Sequence, residues 1–329
     1  MKLGFKTVAP VLLGLLVSGC SSPQDLLAPH GYIAGKEAWL FWIVLAMGAV
    51  VFLGVEGLIL FIALRDRRRK GDLAEPKQVY GNRSLEILWT AIPIGLVLIL
   101  FGLTLGVMAA VAPPSPSAGD LTVQVVGHQW WWEFDYPSLG IVTANELHIP
   151  VGESVRVQLV SADVIHSFWV PQLAGKTDVI PGQTNLMWLQ SNQTGTFDGQ
   201  CAEFCGLQHA HMRFQVVVQS AQDFQTWVAA QQASPPAPQT DLEQQGYQIV
   251  IKGVCSGCHT VNGTTARGTI GPNLTHVFSR QTIAGGSIPI GQMSEWIEDP
   301  QGMLPGNDMV IHLSNDEITA VLAYLDTLK

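Results

Sequence analysis

Apolar and polar residues alternate along this chain in three successive textures. The first is continuous. Trp39 to Leu64 and Ile87 to Ala112 are apolar runs of 26 residues each, and Glu56 is their single ionisable side chain. A helix of that length reaches about 39 Å at 1.5 Å per residue, enough to cross a hydrocarbon core of about 30 Å. The second texture is short and alternating. Leu121–Val126, Ser154–Val160, Asn185–Gln190 and Arg213–Gln219 repeat with a period of two and are separated by Gly, Pro and Asn. That pattern predicts half-buried strands and an all-β sandwich ending near Gln219. The third texture is helical, with segments expected at 241–252, 294–299 and 314–328. Ser314 stands three residues before Glu317, the spacing of a capping box.

Proline marks the joints. Pro113, Pro114 and Pro116 follow the second apolar run, and residues 231–240 (Gln-Gln-Ala-Ser-Pro-Pro-Ala-Pro-Gln-Thr) have the composition of an extended, stiff linker. The expected organisation is therefore a multidomain chain. Residues 1–19 form a signal segment, and 20–112 hold a hairpin with spans at about 39–64 and 87–112. A sandwich follows at 113–230, a linker at 231–240 and a small helical domain at 241–329. Lys2, Lys6 and the short apolar stretch Val8–Val17 are a secretory pattern. The sequence Leu16-Val17-Ser18-Gly19-Cys20 resembles a bacterial lipoprotein cleavage site, with lipid carried on Cys20.

Charge gives the hairpin a direction. Residues 65–84 carry seven basic and three acidic side chains, and no Lys or Arg occurs between the second run and Glu133. Basic loops stay on the cytoplasmic side, so everything after Ala112 is expected outside. Pro93 within the second span is tolerated where neighbouring helices cover the broken ladder. Glu56 is read as a protonated carboxyl packed against a partner helix. The outer part is acidic, three basic residues against ten acidic over 113–240 and four against nine over 241–329, and the net charge is −9. Such a chain has no basic surface for nucleic acid. The same acidity suits either steering of a basic soluble donor or plain solubility.

The five cysteines carry the chemistry. Residues 201–212 read Cys-Ala-Glu-Phe-Cys-Gly-Leu-Gln-His-Ala-His-Met. Two thiols, an imidazole and a thioether within one loop are a soft donor set that favours copper over magnesium or calcium. Cys255-Ser256-Gly257-Cys258-His259 is the attachment pattern of a c-type haem, with His259 as one axial ligand. With Cys20 assigned to the lipid site, no cysteine is left for a structural disulfide. Met293, Met303 and Met309 are the candidates for the sixth iron ligand. Met309 is preferred because it follows the loop Pro305-Gly306-Asn307-Asp308, and Met303 is second. His166, in Asp163-Val164-Ile165-His166-Ser167-Phe168-Trp169, is a distant residue that a sandwich can bring to the late loop. His128, His148 and His211 are read as ordinary packed, hydrogen-bonded histidines.

These motifs resemble subunit II of the haem–copper cytochrome c oxidases, in the bacterial form with a cytochrome c domain fused at the C-terminus. Gly127-His128-Gln129-Trp130-Trp131-Trp132, the 163–167 segment, Lys176-Thr177-Asp178-Val179-Ile180-Pro181-Gly182, the 201–212 loop and Ser84-Leu85-Glu86-Ile87-Leu88-Trp89-Thr90 carry the likeness. So do Gly271-Pro272-Asn273-Leu274-Thr275-His276 and Trp296-Ile297-Glu298-Asp299-Pro300-Gln301. The resemblance implies a two-helix transmembrane hairpin, a cupredoxin-like β-sandwich and a small all-α cytochrome c domain. It implies a dinuclear copper centre, CuA. Cys201 and Cys205 would bridge its metals, with His166 and Met212 completing one copper and His209 and the Glu203 carbonyl the other. The Glu203 carboxylate would help hold magnesium at the contact with subunit I. Trp130 would take in electrons, and Glu86 would stand at the mouth of a proton path. The family usually reads Lys-Pro-Gly-x-x-Met-Pro at the sixth haem ligand, where this chain has Leu304-Pro305-Gly306-Asn307-Asp308-Met309-Val310. The implied function is to receive electrons on the fused haem and pass them through CuA to subunit I, where dioxygen is reduced with proton pumping. The alternative is a CuA-bearing subunit of a nitric oxide or nitrous oxide reductase. Implied partners are subunits I and III and other oxidase subunits, membrane lipid, and as donor a soluble or membrane cytochrome c or the quinol–cytochrome c reductase complex. The implied location is the bacterial plasma membrane, with both outer domains on the periplasmic face.

Overall fold

A computed structural model describes residues 24–67, 78–115 and 120–329. The signal segment 1–19, Cys20 and part of the basic loop lie outside the described residues. The chain divides into two compact units, Gly35–Ala112 and the remainder.

The first unit consists of the two apolar helices. Helix α1 spans Tyr32–Arg65 and α2 spans Arg83–Val111, both long and apolar enough to cross a membrane. Each begins before its apolar run. Asn82 caps α2, its side chain accepting from the amides of Ser84 and Leu85 (3.1 and 3.2 Å), and so satisfies N–H groups that have no partner within the helix. Glu86 sits in the first turn, where negative charge complements the helix dipole.

In the second unit the alternating runs form two five-stranded sheets. The first has the order β3 (Ile141–Ala144), β2 (Trp131–Tyr136), β1 (Thr122–His128), β5 (Val155–Ser161), β8 (Asn185–Leu189). The second has the order β4 (Glu146–Pro150), β10 (Arg213–Gln219), β9 (Gly195–Cys201), β6 (His166–Val170), β7 (Ala174–Val179). β1–β5 and β4–β10 pair in parallel and the other neighbours antiparallel. Burial alternates along β1 and β10, as one covered face requires. Between the sheets Trp132 meets the rings of Phe168 and Phe214, each with centroids 5.5 Å away. The expected four strands are present within one or two residues, and six more join them. Those six are short, or carry the polar and aromatic motif residues that mask a period of two.

Helix α3 (Ala221–Gln231) closes the sandwich, Trp227 stacking on His148 at 4.3 Å. The C-terminal helical domain follows. Its first helix α4 (Asp241–Tyr247) continues as a π-helical turn, Gln248–Lys252. Two short helices, α5 (Met293–Glu298) and α6 (Pro300–Met303), precede α7 (Asn315–Leu325). The capping box expected from Ser314 and Glu317 is formed, and Thr240 with Glu243 forms a second at α4. α4 and α7 cross at Gly246, where any Cβ would lie 2.0 Å from the Ala320 carbonyl. A two-stranded ribbon, β11 (Thr282–Ile283) and β12 (Ile288–Pro289), interrupts the helices. It is too short to leave a periodic signal.

Candidate metal centre and haem pocket

The soft donors gather at one end of the second sheet. β6 begins at His166 and β9 ends at Cys201, with Phe168 paired to Cys201. Strand pairing thus removes the 35-residue separation. The Cys201 amide donates to the Met212 carbonyl at 2.9 Å and the Ala202 amide to the Ser167 carbonyl at 2.9 Å, which folds the loop back over the strand ends. The two Sγ atoms lie 3.8 Å apart, far beyond the roughly 2.05 Å of a disulfide. Cys201 Sγ is 3.9 Å from His166 Nδ1 and 3.2 Å from the Glu203 carbonyl. Cys205 Sγ is 3.6 Å from His209 Nδ1 and 3.7 Å from Met212 Sδ. His166, the Glu203 carbonyl, His209 and Met212 therefore all flank the sulfur pair. His166, Cys201, Cys205 and Met212 are buried, while Glu203 is exposed.

Electrostatics prepare the sulfurs for metal. The contact with Cys205 is the largest cause that pulls the Cys201 thiol down to about 3. Burial opposes it, and the bonds to His166 and to the backbone at Glu203 and Ser167 add to it. The same contact, together with burial, raises Cys205. The opposite directions of the two shifts favour a proton shared between the sulfurs, which a cation of soft character would displace. Burial lowers His166, but bonds to Cys201 and Asp163 outweigh it and raise the ring on balance. Asp163 Oδ1 lies 2.8 Å from His166 Nε2, leaving Nδ1 to face the sulfur. The other oxygen of Asp163 accepts from the Gln129 amide at 2.6 Å. Asp163 was visible in the sequence only as a neighbour three residues before His166.

Trp130 stands in the turn between β1 and β2, outside the sandwich core that holds Trp132. Its indole N–H donates to the Cys205 carbonyl at 3.0 Å, and Gln129 Nε2 donates to the same oxygen at 2.7 Å.

The second site is a cavity lined by Cys255, Cys258, His259, Arg280, Met293 and Met309, and closed from the sandwich side by Trp130, Gln208 and His211. The residues fit a covalent haem. His259 Nδ1 donates to the Pro272 carbonyl at 2.8 Å, so Nε2 is the nitrogen left for iron. Burial, then the nearby Arg280 cation, lowers His259 against the pull of that bond and keeps the ring neutral as a ligand must be. Gly271 has no room for a side chain, since a Cβ would lie 2.5 Å from His259 Cε1. Arg280 is 6 % exposed, and its Nε has no partner. Burial pushes it down to about 10, so it is still a cation at neutral pH and suits the propionates of a haem. Met309 and Met293 line the cavity, and Met303 packs against the helical core without lining it.

The Met309 loop is braced by side chains that sequence reading did not single out. Asn307 Nδ2 donates to the carbonyls of Pro300 and Leu304 (2.7 Å each), and its Oδ1 accepts from the Met309 amide at 2.8 Å. Gln301 Nε2 donates to the carbonyls of Asn307 and Met309 (2.7 and 3.2 Å). These bonds fix the loop on both sides of Met309. Of the histidines read as packed and hydrogen-bonded, His148 is stacked and bonded to Gln219, while His128 stacks on Trp131 at 4.1 Å with burial lowering it to about 4, but its buried Nε2 has no hydrogen-bond partner. His211 differs: it is exposed and contributes to the haem cavity wall, because the helical domain rests beside it.

Three family models match this chain. One described as "Cytochrome C oxidase subunit II, transmembrane domain" covers 32–105, its periplasmic-domain counterpart covers 139–221, and one described as "Cytochrome c" covers 243–329. The cytochrome c oxidase subunit 2 of Alkalihalophilus pseudofirmus is 40% identical over 96% of this chain and 95% of that protein. That of Bacillus subtilis is 36% identical over 97% and 96%. Among solved structures, the periplasmic domain of cytochrome oxidase subunit II from Bradyrhizobium japonicum is 36% identical, covers 36% of this chain and 96% of its own, and superposes with a TM-score of 0.34.

Proposed function

The chain belongs to the cytochrome c oxidase subunit II family, with a cytochrome c domain at its C-terminus, and from that premise we propose that it receives electrons on a covalent haem and hands them through a dinuclear copper centre to subunit I. Dioxygen reduction and proton pumping belong to that partner. Bound here, haem c and the copper pair would supply one-electron chemistry with little change of geometry on transfer. Cys201 and Cys205 would bridge the coppers, with His166, Met212, His209 and the Glu203 carbonyl as the terminal ligands. Cys255 and Cys258 would hold the haem, with His259 and Met309 on its iron.

The observation that carries this reading is the position of Trp130. Its ring walls the cavity, while its N–H is bonded to the carbonyl of Cys205. A continuous chain of aromatic ring, hydrogen bond and cysteine backbone therefore leads from one site to the other. Cys205, Met212 and Trp131 are buried beside this route.

The remaining roles rest on the family. The exposed Glu203 carboxylate is free to meet magnesium and subunit I, and Glu86 opens α2 where a proton path would begin. The hairpin sits in the bacterial plasma membrane with both outer domains on the periplasmic side, and Cys20 carries lipid. A soluble or membrane cytochrome c, or the quinol–cytochrome c reductase complex, supplies the electrons, and subunit III joins the assembly. Cys201→Ser in the purified complex is expected to abolish the near-infrared copper band and oxygen consumption while the c-haem spectrum persists. Loss of both chromophores, or of neither, contradicts separate sites. Nitric oxide turnover without oxygen turnover in the unaltered complex contradicts the oxidase assignment.

A further inference from the structure

The ribbon β11–β12 and its turn meet the sandwich at the start of β4 and the start of β10, while the Pro305–Gly306 loop meets it separately at Gln208 and Leu207. We propose that this ribbon is a docking element and that Glu146 is its latch, a positioning residue that seats the haem cavity against Trp130. The inference rests on the functional reading above, in which Trp130 connects the two sites.

Glu146 opens β4 and is 3 % exposed. A carboxylate so deeply buried needs partners: its Oε2 lies 3.8 Å from His148 Nε2 on its own strand, and its other oxygen is bonded across the domain boundary. Its Oε1 accepts from the backbone amides of Gln281 and Thr282 at 2.5 and 3.2 Å. Those amides begin the ribbon. Its turn then presses on the neighbouring strand end. The Arg213 amide donates to the Gly285 carbonyl at 2.6 Å, and Ser287 Oγ donates to the His211 carbonyl at 2.6 Å. Gly285 has φ +65°, and a Cβ there would lie 2.4 Å from the Trp130 carbonyl. The turn therefore approaches the Trp130 backbone more closely than any residue with a side chain allows. Ile283, Ala284 and Gly285 of the same ribbon line the haem cavity. One short element thus touches the cavity, Trp130 and the buried acid.

Glu146 and Gly285 belong to neither ligand set, so each can be changed without touching a metal or haem ligand. The test is hydrogen exchange read by mass spectrometry on the purified holo-complex. Glu146→Ala takes the acceptor from two part-buried amides, which at about 1 kcal/mol net for each weakens docking roughly 30-fold. The peptide containing Gln281 and Thr282 is expected to exchange faster by that factor, while the peptide containing Tyr324, in the domain's own core, is unchanged. Glu146→Gln keeps an acceptor oxygen and is expected to restore protection. Gly285→Val attacks the contact from the other domain and is expected to speed exchange at the same peptide. In both disruptive variants, flash reduction of the haem should show a new slow phase of copper reduction with both optical spectra intact. Unchanged exchange at Gln281 and Thr282 in either folded variant overturns the latch, and so does equal acceleration at Tyr324. If the wild-type complex moves no electron from haem to copper, the functional reading fails instead, and the exchange result is read separately.

Discussion

Asn307 offers a direct test of how the sixth haem ligand is held. Its amide side chain makes three hydrogen bonds inside the Pro300–Met309 loop. At about 0.7 kcal/mol net for each, with the exchange against water already counted, they contribute roughly 2 kcal/mol to the closed loop. Asn307→Ala removes that preference while leaving Met309 in place. Imidazole competes with Met309 for the iron, so its apparent affinity measures how firmly the loop is closed. A change of about 2 kcal/mol corresponds to roughly 30-fold tighter imidazole binding. The assay is an optical titration of the oxidised c-haem in the purified complex. An unaltered imidazole affinity in Asn307→Ala refutes the bracing role. Displacement of the native ligand in Met303→Ala rather than Met309→Ala refutes the ligand choice itself.

Three further outcomes follow from close contacts and bonds. Gly271→Ala places a Cβ against the His259 ring and should reduce the ratio of low-spin covalent haem to protein, measured after purification. Gly199→Ala puts a Cβ 2.2 Å from the Phe214 ring and should lower sandwich stability by about 1–3 kcal/mol, read from thermal unfolding. Trp130→Leu removes both the ring and the donor to Cys205. It should slow haem-to-copper transfer after flash reduction while leaving the haem and copper spectra in place, and an unchanged rate contradicts the proposed route.

The sequence carried the donors and missed their supports. Metal-type ligands announce themselves because thiols and imidazoles are rare and were clustered, so Cys201, Cys205, His209 and Met212 stood out, as did Cys255, Cys258 and His259. The long apolar helices were equally visible, since each carries a 26-residue run and Glu56 is the single ionisable side chain in the two. Strands with strict alternation were found, but β2 was hidden behind three consecutive tryptophans, and β6 and β9 behind the residues of the site. Asp163, Arg280, Asn307 and Glu146 were illegible for a common reason. Each acts through a partner far away in the chain or on the backbone, so in sequence it looks like any other polar residue, even where, as with Glu146 and Arg280, it is buried. Trp130 was separable from Trp131 and Trp132 only by resemblance. The structure adds the physical reason, a turn that turns the first ring away from the core.

The central claim is that Cys201 and Cys205 share one electron between two metals. Electron paramagnetic resonance of the oxidised complex tests it most directly. The account predicts the hyperfine pattern of two equivalent copper nuclei, lost in Cys201→Ser. The pattern of a single copper nucleus, or zinc at this site in elemental analysis, contradicts it.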